Sequence, residues 1–138
     1  MIASCSPLSR TTVSTTVCKL SKDPDGFIHY KVRASGYVDS DGMEWVVLRD
    51  DACPEESVSL EYSSAGAASS AAKEITKAIF HTLPIGTDTK DIRATFVGQF
   101  EWRMINSKRA KTLVADRIED LSIKKMKQKR LSPFPELR

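Results

Sequence analysis

"YKVRASGYVDSDGMEWVVLR", residues 30–49, is the stretch from which the fold is read. Tyr30, Val32, Ala34 and Val38 alternate with Lys31, Arg33 and Ser35, the period of a strand with one buried face. Gly36 interrupts that alternation, as at a bulge or a sharp coil where a strand bends. Asp39-Ser40-Asp41-Gly42 reads as a hairpin turn, and Glu44 to Arg49 as the return strand. "DSDG" lacks the further carboxylates and distal Glu of a calcium loop, so the turn is structural. The first strand is expected to begin at Phe27, after the turn Asp23-Pro24-Asp25-Gly26.

On the N-terminal side, residues 1–12 are Ser/Thr-rich and expected to be loose. Val13, Val17 and Leu20 fall at i, i+4 and i+7, which predicts a short helix carrying Cys18. Its β-branched content makes it weak alone, so tertiary contacts must hold it. On the C-terminal side, Val58, Leu60 and Tyr62 alternate with Ser59 and Glu61 as a third strand. "SAGAASSAAKEITKAIFHTL", residues 64–83, predicts a helix with Ala67, Ala71, Ile75, Ile79 and Leu83 inward. Ser63 and Ser64 can cap its start, and Pro84 and Gly86 end it. Ile92, Ala94, Phe96, Gly98, Phe100 and Trp102 form a fourth strand, again with a glycine in the middle. Residues 103–110 read as a basic polar loop, and Leu113 to Ile123 as the last strand.

The expectation is a mainly β domain over residues 13–123, preceded by a flexible segment (1–12) and followed by a basic tail (124–138). Its order is β-β-β-α-β-β with a short N-terminal helix, the plan of a five-stranded OB-fold-like barrel. The mid-strand glycines fit strands coiled enough to serve both sides of such a barrel. A net charge of +3 conceals an asymmetry. Phe27 to Tyr62 holds Lys31, Arg33 and Arg49 against Asp39, Asp41, Glu44, Asp50, Asp51, Glu55, Glu56 and Glu61, a balance of −5. Lys124 to Arg138 holds six cations against Glu136, a balance of +5. Basicity belongs to the tail and not to the folded body. No run approaches the ~18–20 apolar residues that span a bilayer.

Cys53, in "RDDACPEES" (49–57), has three readings. A small buried residue is the commonest fate of a free thiol. A nucleophile needs a lowered pKa and a base, whereas Asp50, Asp51, Glu55 and Glu56 surround this one and neither His29 nor His81 is near in sequence. Zinc-ligand spacing is absent from the three cysteines and two histidines. The third reading is a bridge to Cys18, which the topology permits and which would fasten the weak helix.

The run "VCKLSKDPDGFIHYKVRASGYVDSDGMEWVVLRDDACPEESVSLEYS", residues 17–63, resembles small exported bacterial OB-fold proteins of uncharacterised function. That type has a Cys-x-Leu helix, an Asn/Asp-Pro turn, a Val-x-Val-x-Gly strand, a Cys-Pro after the second strand and a later Gly-x-Phe strand, here "FVGQFEW". The pattern covers roughly residues 17–121, and this chain departs from it in "VRASGYV" and in its basic tail. The resemblance adds weight to a Cys18–Cys53 bridge and hence to an oxidising, exported location, periplasm or cell envelope. "IASC", residues 2–5, then makes Cys5 a candidate for lipidation.

No catalytic residue, metal ligand set or cofactor motif stands out, so the expectation is a non-catalytic module that binds a protein or small ligand at the envelope. A second expectation, for a cytoplasmic protein, is single-stranded nucleic acid held by Arg103, Asn106, Lys108, Arg109 and Lys111, with the tail steering toward phosphates or anionic lipid. A third is an inhibitor or immunity-type protein that presents Asp39, Asp41, Glu44, Asp50 and Asp51 to a basic partner. Tyr30, Tyr62, Phe96 and Phe100 are expected in the core, and Trp45 and Trp102 buried.

Overall fold

The computed structural model describes residues 11–40, 46–80 and 90–125. The expected tail from 126 onward, Cys5, the Asp41-Gly42 half of the hairpin turn, Glu44, Trp45 and the Leu83–Gly86 helix stop lie outside them. The chain is mainly β. Its elements are β1 (Thr12–Ser14), α1 (Val17–Lys22), a 3-10 turn (Pro24–Gly26), β2 (Lys31–Ser40), β3 (Val46–Arg49), β4 (Val58–Tyr62), α2 (Ser64–Ala68), α3 (Ser70–Phe80), β5 (Lys90–Ile105) and β6 (Lys108–Lys125).

All six strands belong to one sheet in the order β1-β2-β3-β4-β6-β5, and β2 also pairs with β5. The hydrogen bonds therefore run in a ring, β2-β3-β4-β6-β5 and back to β2. Within it only β4 and β6 run parallel, and β1 joins outside the ring, parallel to β2. Along β2, residues 31–37 pair with β5 while 37–40 pair with β3, so the strand changes partner near Gly36. A Cβ on Gly36 would run into the Arg49 carbonyl oxygen, and one on Gly98 into that of Val114. Both glycines lie in the β2–β5 ladder, Gly36 opposite Ala94 and Gly98 opposite Val32. Their missing side chains let β2 run close to the β3 backbone and β5 close to that of β6.

Inside the ring, Val32, Ala34, Leu48, Val58, Leu60, Phe96, Phe100 and Leu113 form one buried cluster with Val17 and Leu20 of α1. The alternation read for β4 holds, with Val58 and Leu60 buried and Ser59 and Glu61 partly exposed. Tyr62 packs half-buried against the cluster, where burial pushes its phenol up to about 12.

Several expectations are corrected. Among the described residues there are six strands and not five, because Thr12–Ser14 pairs with Lys31–Arg33 where the sequence suggested loose chain and then helix. Val13 is thus a strand residue; β-branched neighbours favour that state. The helix begins at Val17, capped by Thr16, whose hydroxyl accepts from Lys19 N at 3.1 Å. The first long strand starts at Lys31 and not Phe27, because the amides of Phe27, Ile28 and Tyr30 are bonded within the preceding turn. The single helix over 64–83 is two, broken at extended Ser69, whose hydroxyl accepts from Ala72 N at 3.1 Å and so caps α3. Its buried face is Ala72 and Ile75, while Ala67 is exposed and Ala71 half-buried. Ser63 caps α2 as expected, accepting from Gly66 N at 3.1 Å, whereas Ser64 is already helical.

The approach of β5 to the Val114 backbone on β6 makes Gly98→Ala costly: chemical denaturation should show a loss on the order of 2–3 kcal/mol. Gly26→Ala is the control, because its Cβ would meet only the flexible Asp23 carboxylate, and it should cost under about 1 kcal/mol. Equal losses would remove the close approach as the reason for Gly98.

Candidate functional site

Cys53 sits at the centre of a tight turn after β3. Its amide donates to Asp50 O at 3.0 Å and its carbonyl accepts from Glu56 N at 2.9 Å. The Asp50 carboxylate accepts from Ala52 N at 3.0 Å, and the Arg49 guanidinium donates to Pro54 O at 3.1 Å. The thiol side is buried, and its sulfur lies at disulfide distance from that of Cys18 in α1, the Cα atoms 5.9 Å apart across 35 residues. Ser21, also on α1, donates through its hydroxyl to the Glu56 carboxylate. A six-residue helix is thereby tied to this turn at two points.

The acidic candidates are engaged within the fold where they are described. Asp39 accepts from Arg49 Nε at 2.8 Å, and Asp51 from Arg93 Nη1 at 2.6 Å. Arg93 is paired with Asp91 as well and lies over the Tyr37 ring, 5.3 Å from its centroid. Hydrogen bonds to Asp51 and then Asp91 hold its guanidinium well above the ordinary range. Asp50 is bonded to its own turn, and Asp41 and Glu44 lie outside the described residues.

The basic candidates do not occupy a loop. β5 and β6 form a hairpin joined by Asn106 and Ser107, both left-handed at φ 51° and 68°, the backbone of a two-residue type I′ turn. No Asn-Gly pair announces this turn, which is why residues 103–110 read as loop. β2 pairs with β5 no further than Gln99, and β4 with β6 begins at Thr112. Residues 101–105 and 108–111 therefore make a two-stranded ribbon beyond the ring.

Opposed residues share a face. Trp102 faces Lys111 and Met104 faces Arg109 on the side that continues Phe100 and Leu113, whereas Arg103 and Lys108 lie on the other side. Arg103 is paired with Glu61 and with Glu101, each at 3.1 Å. Lys111 Nζ donates to Ser21 O at 2.6 Å. The Arg109 guanidinium lies 4.3 Å from the Trp102 ring centroid. Asn106 and Lys108 are exposed at the turn. The five basic-loop candidates thus share one ribbon but not one surface.

Two residues on or beside the ribbon escaped the sequence reading. Met104 is 65% exposed, although its phase with Phe100 and Trp102 would place it inward. Tyr30, expected in the core, is 40% exposed; its carbonyl accepts from Phe100 N at 3.0 Å at the ribbon's base. Trp102, expected buried, is half-buried beneath Arg109.

A shallow depression of about 410 Å³ lies between Thr16, Arg33, Ser35, Asp50, Thr95 and Glu119. Arg33 donates to Glu119 at 3.2 Å and holds that carboxyl below its usual range. Of the depression's hydroxyls, Ser35 Oγ and Thr95 Oγ1 lie 2.6 Å apart, whereas the buried Thr15 Oγ1 has no hydrogen-bond partner. Among the described residues no group of His, Cys, Asp and Glu is arranged to hold a metal ion, and no helix is long and apolar enough to cross a membrane.

No protein-family model matches the chain, and no curated protein matches it in sequence.

Replacing both Cys18 and Cys53 by Ser should lower stability by roughly 3–4 kcal/mol, the chain-entropy value for a loop of this length. Denaturant titration in the absence of reductant measures it, and a loss below about 1 kcal/mol would mean that α1 is held by packing alone.

Proposed function

We propose that this protein is a non-catalytic binding module with an OB-type fold, exported and acting at the bacterial cell envelope. The observation that carries the reading is the Cys18–Cys53 pair, at bonding distance with Cys53 buried. Such pairs persist in oxidising compartments and are rare in reducing ones. The OB-type reading draws support from the ring: five strands follow one another around it, with α2 and α3 inserted between its third and fourth in chain order. The sixth strand, β1, is an addition at the side of β2.

A non-catalytic role accords with the chemistry of the described surface. The acidic groups are taken up in structural pairs, and a bridged Cys53 offers no thiolate. The alternative of an acidic inhibitor surface is weakened by the pairing of Asp39 and Asp51 with Arg49 and Arg93. Single-strand binding would need open aromatic platforms beside the cations. Trp102, the aromatic among the ribbon's cations, has Arg109 over its ring.

The test is thiol trapping in the cells that make the protein: acid quench, alkylation of free thiols, then non-reducing peptide mapping. The expected result is one linked peptide containing Cys18 and Cys53. Alkylation of both residues in the trapped sample would contradict export.

A further inference from the structure

The ribbon beyond the ring brings exposed apolar and cationic side chains together outside the core. Over residues 101–111 it carries Arg103, Lys108, Arg109 and Lys111 against Glu101. Its end presents Met104, and beside its base stands Tyr30; these are the exposed large hydrophobic side chains among the described residues. Trp102 lies between them along β5, half-buried. A tight two-residue turn closes the end, so Arg109 is held opposite Met104 on a stiff support, with Lys108 beside the turn on the other face.

We propose that this ribbon docks the protein on an anionic phospholipid surface, Met104 entering the headgroup region with Trp102 and Tyr30 behind it. The inference deepens the envelope reading and rests on it for location, but not for its chemistry. Aromatic rings with one polar edge favour the membrane–water interface. Cations close to an anionic surface contribute attraction that falls within a Debye length. Met104 decides between lipid and nucleic acid: an exposed apolar tip gains by leaving water among acyl chains, and nothing comparable follows from contact with a phosphate backbone. The covered face of Trp102 points the same way, since a base has no bare ring to stack on there.

Interfacial insertion is shallow and the number of cations small, so binding should be reversible and salt-sensitive. Of the charged groups, Arg103 is shared with Glu61 and Glu101. Lys108 and Arg109 are therefore the cations expected to matter most.

The experiment is co-sedimentation of the full chain with phosphatidylglycerol-containing vesicles and with pure phosphatidylcholine vesicles at low and physiological salt. Binding to the anionic vesicles only, weakening as salt rises, is expected. Lys108→Glu with Arg109→Glu should weaken it at least ~20-fold, about fivefold for each cation lost. Met104→Asp, at an exposed position that leaves the fold intact, should weaken it ~5-fold or more, and Met104→Leu should retain it. Circular dichroism and the Cys18–Cys53 peptide map, unchanged in each variant, separate failure of docking from failure to fold. No sedimentation with anionic vesicles overturns the proposal. So does sedimentation that these variants do not alter, which would transfer the attraction to the C-terminal tail. Tight binding of a fluorescent single-stranded oligonucleotide without vesicle binding also overturns it, in favour of nucleic acid. None of these outcomes bears on the thiol map, so the envelope reading stands or falls separately.

Discussion

The ladder between β2 and β5 is the contact on which the other features depend. Without it, β1 to β6 would be an open sheet with β5 at one edge; with it, five strands enclose one buried cluster. The closure joins Val32 to Gly98 and Ala34 to Phe96, residues buried or backbone-only at the crossing. Gly36 and Gly98 let β2 and β5 run close to the backbones of β3 and β6, and Phe96, Phe100 and Leu113 fill the enclosed space. Closure also fixes where the ribbon begins: the β2 ladder ends at Gln99, and the hairpin runs on alone from there.

The second constraint is the attachment of α1. Six residues cannot sustain a helix in water, and Val17 and Leu20 supply only part of what is needed. The Cys18–Cys53 pair and the Ser21–Glu56 hydrogen bond bind α1 to the turn after β3. The same helix then reaches the ribbon, because Lys111 donates to the Ser21 carbonyl. The cysteine pair and the exposed hairpin end are therefore linked through one short helix. This arrangement gives the bridge a role beyond compartment: it steadies the base of the element proposed to meet the membrane.

Much of this was legible in the chain. Alternation marked β2, β4 and β5 because one face of each is buried, and the glycines marked the bends because a strand interior otherwise selects against them. Ser63 announced a helix start by its hydroxyl. What stayed hidden has common physical roots. Three residues ahead of a helix, two of them β-branched, cannot signal a strand whose partner lies about twenty positions away. The break at Ser69 and the turn at Asn106-Ser107 use residues whose local signal is weaker than glycine's. Ion pairs such as Asp51 with Arg93, 42 residues apart, are made by the ring itself, so the acidic stretch looked like free surface. Met104 kept the phase of a core residue on a strand that had already left the core. The partner of Cys53 is one option among several in the sequence, because only the fold brings Cys18 to it across 35 residues.

Native-state hydrogen exchange followed residue by residue tests the ring closure most directly. If β2 is closed onto β5, amides of residues 32–36 and 94–98 in the shared ladder should exchange only through global unfolding, at the stability measured by denaturant. Amides of Thr12–Ser14, at the side of the ring, should exchange through smaller openings. Exchange in the β2–β5 ladder as fast as in β1 would show an open sheet, and the account of the core and the ribbon's origin would fall with it.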